Sequence, residues 1–139
     1  MVDNAIRIGD KVADALRGGG PVVALESTII AHGLPSPRNV EVAAQIEQTV
    51  RDHGAVPATI GMIGGTIVVG LDEAQVRHLG TTEGVAKLSV RDLTVAATKR
   101  ADGATTVAST AALAARVGSR VFATGGLGGV HRGASDSYD

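Results

Sequence analysis

Apolar residues along this chain alternate between short unbroken runs and a helical spacing. Val22-Val23-Ala24-Leu25 is an unbroken run of strand length, the pattern of a strand buried on both faces. Pro57 to Ile63 and Thr66 to Val69 are two more such runs. Only Gly64-Gly65 separates them, which predicts a hairpin rather than a crossover. Arg120 to Thr124 and a weaker run from Ala86 to Ser89 complete the expected strands. Helical spacing covers Ala5 to Arg17, where Ile8, Val12, Ala15 and Leu16 share a face and Gly18-Gly19-Gly20 ends the pattern. Ser36-Pro37 reads as an N-cap with proline at the first helical position. The helix it opens runs to about His53, with Ile46 and Val50 inward and Glu41, Gln45, Glu47 and Arg51 outward. Shorter helices are expected at Asp72 to Leu79, Leu93 to Arg100 and Thr106 to Val117.

Strands and helices alternate, so the predicted class is α/β: a layered α/β/α domain whose sheet the hairpin makes mixed. One domain over residues 1–139 suits the length, and no repeat or internal boundary appears. The final stretch, "GGLGGVHRGASDSYD", follows a strand and has the composition of a loop that feeds a helix. The layered sheet is therefore expected to be incomplete at its C-terminal end.

Composition narrows the function classes. Aromatic residues are 1%, which argues against a nucleic-acid reader built on base stacking. Lys+Arg 13 nearly balance Asp+Glu 14, and no basic block is present, so non-specific nucleic-acid affinity is not expected. The absence of cysteine excludes disulfides, thiolate metal sites and a Cys nucleophile. No signal-peptide pattern or membrane-length apolar stretch is seen, and the expected compartment is the cytoplasm. Gly is unusually frequent, at 19 of 139, and clusters between apolar runs, where a backbone can approach a ligand or simply turn.

Candidate chemistry begins at Glu26. It closes the first strand, and ligand crevices of open α/β sheets lie beyond strand C-terminal ends. A carboxyl between Leu25 and Ile29 is partly desolvated, which favours a form able to give a proton; it can equally cap a turn. Lys87 in "AKLSVRDL" is either an anion contact or a solvated side chain. "DGATTVAST" reads as the opening of a helix whose free N–H groups, with Thr105 and Thr106, suit an anion, or as ordinary capping. In "TGGLGGVHRG", His131 and Arg132 beside glycines suit an anionic substrate, although the loop does not fit the dinucleotide fingerprint. Asp136 and Asp139 could bind a hard cation or belong to a solvated tail.

Taken together, "VVALESTIIAHGLPSPRN", "GAVPATIGMIGGTIVVGL", "KLSVRDL", "GATTVAST" and "VFATGGLGGVHRG" resemble the pseudouridine-5′-phosphate glycosidase family, also called indigoidine synthase A-like. The resemblance covers Pro21 to Asp139. It implies a glycosidase or lyase of nucleotide catabolism that reversibly cleaves the C–C glycosidic bond of pseudouridine 5′-phosphate to uracil and ribose 5-phosphate. It also implies a divalent metal, typically Mn2+, and a homotrimer. Glu26 in "LEST" matches the family's proton donor. Lys87 matches a substrate-binding lysine, Val107 a substrate contact with Thr106 as its companion, and His131 a residue touching the sugar phosphate. Asp139 matches the metal-ligand aspartate. The family's nucleophilic lysine follows that aspartate, and neither Lys11 nor Lys99 sits in its motif. The chain is thus expected to be an N-terminal portion carrying the acid and part of the binding site, and to be inactive alone. Two alternatives remain: a non-catalytic phosphosugar- or nucleotide-binding module, and a structural remnant that works only in assembly with other chains.

Overall fold

A computed structural model describes residues 6–137. Its elements are β1 (Ile6–Ile8), α1 (Asp10–Arg17), β2 (Val22–Leu25), α2 (Arg38–Asp52), β3 (Val56–Ile63), β4 (Thr66–Val69) and α3 (Glu73–Thr81). They continue with β5 (Ala86–Leu88), α4 (Leu93–Thr98), β6 (Gly103–Thr105), α5 (Val107–Arg116), β7 (Val121–Ala123) and α6 (Ala134–Ser137). A π-helical turn, Ile29–Gly33, stands between β2 and α2.

The strands form one seven-stranded mixed sheet in the order β1-β4-β3-β2-β7, with β6 also on β3 and β5 on β6. Alternation sorts each strand's side chains to two faces. Ile67 and Val69 pack with Val12 of α1, Ala96 of α4 and Leu113 of α5, whereas Val68 between them packs with Ala43 of α2 and with Val76 and Leu79 of α3. Helices therefore cover both faces, as the alternation of elements predicts. Fully buried Ile30, Ile60, Met62, Leu79 and Leu113 each stabilise the fold by roughly 1.5–3 kcal/mol relative to exposure.

β3 is the longest strand, and two partners share one of its edges. β2 runs parallel to its first half, Leu25 opposite Thr59. β6 runs antiparallel to its second half, with Ala104 opposite Gly61 and Gly103 opposite Met62. The two strands therefore point at each other, and their C-terminal ends meet beside Ile60. β7 is parallel to β2, and β5 is parallel to β6, so their ends point to the same place. Four strand exits converge there.

The hairpin forms as expected: β3 and β4 are antiparallel, and Gly64 and Gly65 both take positive φ, 54° and 84°. Such a two-residue turn matches the twist of its strands and favours glycine. Other expectations need correction. Ile6–Ile8 is a strand rather than the start of a helix, because Ile6 and Ile8 complete the edge of β4 opposite Ile67 and Val69. Ser36 does not cap α2; Pro37 occupies the N-cap after a cis Ser36–Pro37 bond, and the helix begins at Arg38. Gly103–Thr105 is a buried strand rather than the opening of a helix, since the edge of β3 beyond β2 must be paired.

Two side chains fasten the loops around this sheet. Asn39, only 3% exposed, donates to the carbonyls of Ile30 at 2.7 Å and Gly80 at 2.8 Å, joining α2 to the π turn and α3. Asn39→Ala leaves both acceptors unserved and is expected to cost about 2–3 kcal/mol, read from urea unfolding. Asp102 accepts from the Gly64 N–H at 2.8 Å and from His78 Nε2 at 2.6 Å, tying the hairpin turn to α3. Partial burial pushes its carboxyl up, but the Gly64 N–H and the bond and charge of His78 outweigh this and hold it below the ordinary value. A depressed carboxyl stabilises the fold above its unfolded value, and that contribution is lost as pH falls through the lower folded value. Asp102→Asn should therefore lower the urea midpoint at neutral pH, and the gap from the unsubstituted protein should close in acid, below the ordinary carboxylate range.

Candidate functional site

The exit of β2 is held from two sides. Ser27, fully buried, follows Glu26 and accepts a hydrogen bond on Oγ from the Thr105 N–H at 2.8 Å. Its own carbonyl accepts the N–H groups of Ile30 and Ala31 at the start of the π turn. Glu26 is thereby fixed between a strand and a turn, on backbone that cannot slide.

The Glu26 carboxyl is gripped at both oxygens. Thr28 Oγ1 donates to Oε2 at 2.5 Å, and Thr124 Oγ1 donates to Oε1 at 2.6 Å. Thr124 follows β7 and begins the glycine-rich loop. Glu26 is half-buried, as expected for a carboxyl at the mouth of a sheet. Threonine hydroxyls both donate and accept, so the same pair can hold the ionised or the protonated acid. This is a positioned carboxyl with the range of states that general acid chemistry needs.

The neighbouring exits are fastened by buried hydroxyls. Thr105, 1% exposed, donates its hydroxyl to the Ile60 carbonyl at 2.7 Å and accepts from Thr110 at 2.9 Å. Ser109 donates to the Leu88 carbonyl at 2.6 Å, and the Thr106 N–H bonds the same carbonyl at 3.1 Å. Thr105 is thus spent on the core and is not the anion donor the sequence suggests. Thr106 stands at the N-cap of α5, and Val107 is the first residue of that helix, half-buried. No side-chain cap serves this N-terminus among the described residues.

Lys87 lies in the middle of β5, one residue before Leu88, with its side chain exposed. Its register partner is Ala104, which packs with α2 and α3, so Lys87 leaves the sheet on that face. His131 is exposed in the loop, and its carbonyl accepts from Ala134. The structure joins Glu26 directly to the exit of β7, and its neighbour Ser27 to the exit of β6; Thr106 is tied to the end of β5, the strand that carries Lys87, and Val107 follows it in α5. It shows no bond between His131 and Glu26. Asp139 lies outside the described residues. Among the described residues no three His, Asp or Glu side chains form a metal-holding group.

Sequence reasoning singles out Glu26 and the hydroxyls beside it but misses Thr124. The signal available was a hydroxyl at a strand exit in "FATGG", 98 residues away from its partner. A cavity of about 1000 Å3 lies elsewhere, against α1, α2 and α3, and none of the predicted site residues lines it.

Known proteins resemble this chain in sequence and in fold. A pseudouridine-5′-phosphate glycosidase of Salinispora tropica is 69% identical over 96% of this chain, and one of Frankia alni is 61% identical over 96%. The chain spans 41% and 37% of those two relatives. The solved prealnumycin C-glycosynthase AlnA, in complex with ribulose 5-phosphate, superposes with a TM-score of 0.82 at 44% identity, over 99% of this chain and 44% of that one. The family model described as indigoidine synthase A like protein matches residues 11–139, and the chain belongs to that family.

Proposed function

We propose that this chain provides the acid and part of the substrate site of a pseudouridine-5′-phosphate glycosidase. The observation that carries this reading is Glu26, held at both oxygens by Thr28 and Thr124 where four strand exits converge. Its support is the family membership together with relatives that bear that name. When the C–C bond breaks, its electron pair passes to the uracil carbon and the proton of Glu26 joins it there, while the ribose carbon takes a pair from a nucleophile, by the resemblance a lysine after Asp139, and water then releases ribose 5-phosphate. One threonine hydroxyl donates to the spent carboxylate as the proton leaves, so the charge appears where a donor already waits.

Thr106 and Val107 open α5, whose uncapped amides and dipole favour an anion, and the 5′-phosphate is the anion of this substrate. Lys87 adds a point charge and His131 a loop contact to the sugar phosphate. AlnA is named for building a C-glycosidic bond and was solved with a sugar phosphate, which fits chemistry at the same kind of bond. Mn2+ belongs to this reading through Asp139 and the family resemblance alone. The described residues offer no cluster for it. A homotrimer in the cytoplasm completes the proposal; among the described residues, no helix is long and apolar enough to cross a membrane.

The direct test is uracil release from pseudouridine 5′-phosphate with Mn2+, followed by chromatography, in a full-length protein that carries this chain, since the chain alone is expected to be inactive. Glu26→Gln keeps the shape but cannot deliver the proton, so turnover should fall by about 10²–10⁴-fold with substrate affinity nearly unchanged. Turnover within a few-fold of the unsubstituted protein would remove Glu26 from the chemistry. Lys87→Ala should weaken binding of the 5′-phosphorylated nucleoside by roughly 10- to 100-fold, the worth of a charge-assisted contact. Titration calorimetry with the unphosphorylated nucleoside should show little change, and equal losses for both would mean that Lys87 does not read the phosphate.

A further inference from the structure

Thr124 stands between two acceptors. Its Oγ1 is 2.6 Å from Glu26 Oε1 and 3.2 Å from the carbonyl oxygen of Gly126, and it accepts a longer contact from the Gly126 N–H at 3.5 Å. A hydroxyl has one hydrogen to donate. While Glu26 is ionised, the shorter and charge-assisted contact takes that hydrogen, and the Gly126 carbonyl faces a lone pair. When Glu26 carries the proton, it donates to Thr124, and the threonine hydrogen is released towards Gly126. Thr28 holds the other carboxyl oxygen at 2.5 Å, so the carboxyl stays in place while the hydroxyl turns.

We infer that Thr124 is a positioning residue that couples the protonation of Glu26 to the start of the glycine-rich loop. The loaded acid adds a bond to the Gly126 carbonyl, and the spent acid leaves Gly126 with only its long N–H contact to Thr124. Only the start of the loop has this tie to the acid: beyond Gly126, Leu127 and Val130 are 80% and 85% exposed, and Gly128 and Gly129 take positive φ. A hydrogen bond gained or lost at its first turn is therefore felt along a segment with few other restraints. The catalytic consequence rests on the reading of Glu26 as the acid; the coupling itself rests only on the two contacts of Thr124.

A mutant cycle separates the two. The protein is labelled with 13C at the Gly126 carbonyl and compared with Glu26→Ala, Thr124→Val and the double variant. Removing the carboxylate should turn the Thr124 hydrogen to Gly126 and move its carbonyl resonance downfield. The same substitution in the Thr124→Val background should leave the resonance where it is, and Thr124→Ser should restore the movement. Equal movement in both backgrounds would overturn the coupling, whatever the activity. In turnover by the full-length protein, Thr124→Val should lower kcat by about ten-fold or more with KM within two-fold, and Thr124→Ser should recover it. A positive cycle without uracil release by the full-length protein would sink the glycosidase reading and leave the coupling standing.

Discussion

The fold depends on how a buried gap between two strand ends is closed. β2 and β6 share one edge of β3 and stop short of each other beside Ile60. Ladder hydrogen bonds cannot continue across such a gap, and an unpaired buried backbone group costs about as much as a lost hydrogen bond. Side-chain hydroxyls close it. Ser27 takes the Thr105 N–H, Thr105 serves the Ile60 carbonyl, and Ser109 serves Leu88. Among the described residues every buried side-chain nitrogen or oxygen has a partner. The same closure fixes the exits of β2, β5 and β6, so the chemistry-bearing residues inherit their positions from a core requirement.

That arrangement explains why the acid can be both restrained and reactive. A group placed on a strand exit moves less than one on a free loop, and its partners decide its proton chemistry. Ser27 anchors the backbone below Glu26, while Thr28 and Thr124 leave the carboxyl able to accept or donate. Rigid support and a rotatable hydroxyl shell are therefore separate layers, one residue apart in sequence.

The sequence shows some of this plainly. The apolar run at Val22–Leu25 and the Gly-Gly hairpin are local signals, and the structure has both where the pattern puts them. Glu26 is legible because a carboxylate interrupts an apolar run. What is not legible is pairing across distance. Ile8 fits a helical face with Val12 as well as a strand pair with Val69, and only the open edge of β4 decides for the strand. Gly103-Ala104-Thr105 is too short to read as a strand, yet its burial is complete because β3 needs a partner there. Thr124 shows nothing by itself, since its meaning lies in a residue at the far end of the chain.

The large cavity over α1, α2 and α3 raises the question of whether size should outrank chemistry in locating the site. A ligand pocket needs polar groups that converge on an absent partner. In this cavity they converge on each other. Glu47 is held by Arg51 at 2.7 Å and by Thr59 at 2.6 Å, Arg77 pairs with Glu73, and Asp72 is used in a capping box with Gln75. Arg7, Asp10 and Lys11 line the same groove beside these matched pairs. At the strand exits the α5 N-terminus has no side-chain cap, and the acid is held by hydroxyls that can switch roles. The strand exits hold a positioned carboxyl beside an uncapped helix start, and chemistry rather than volume places the candidate site there.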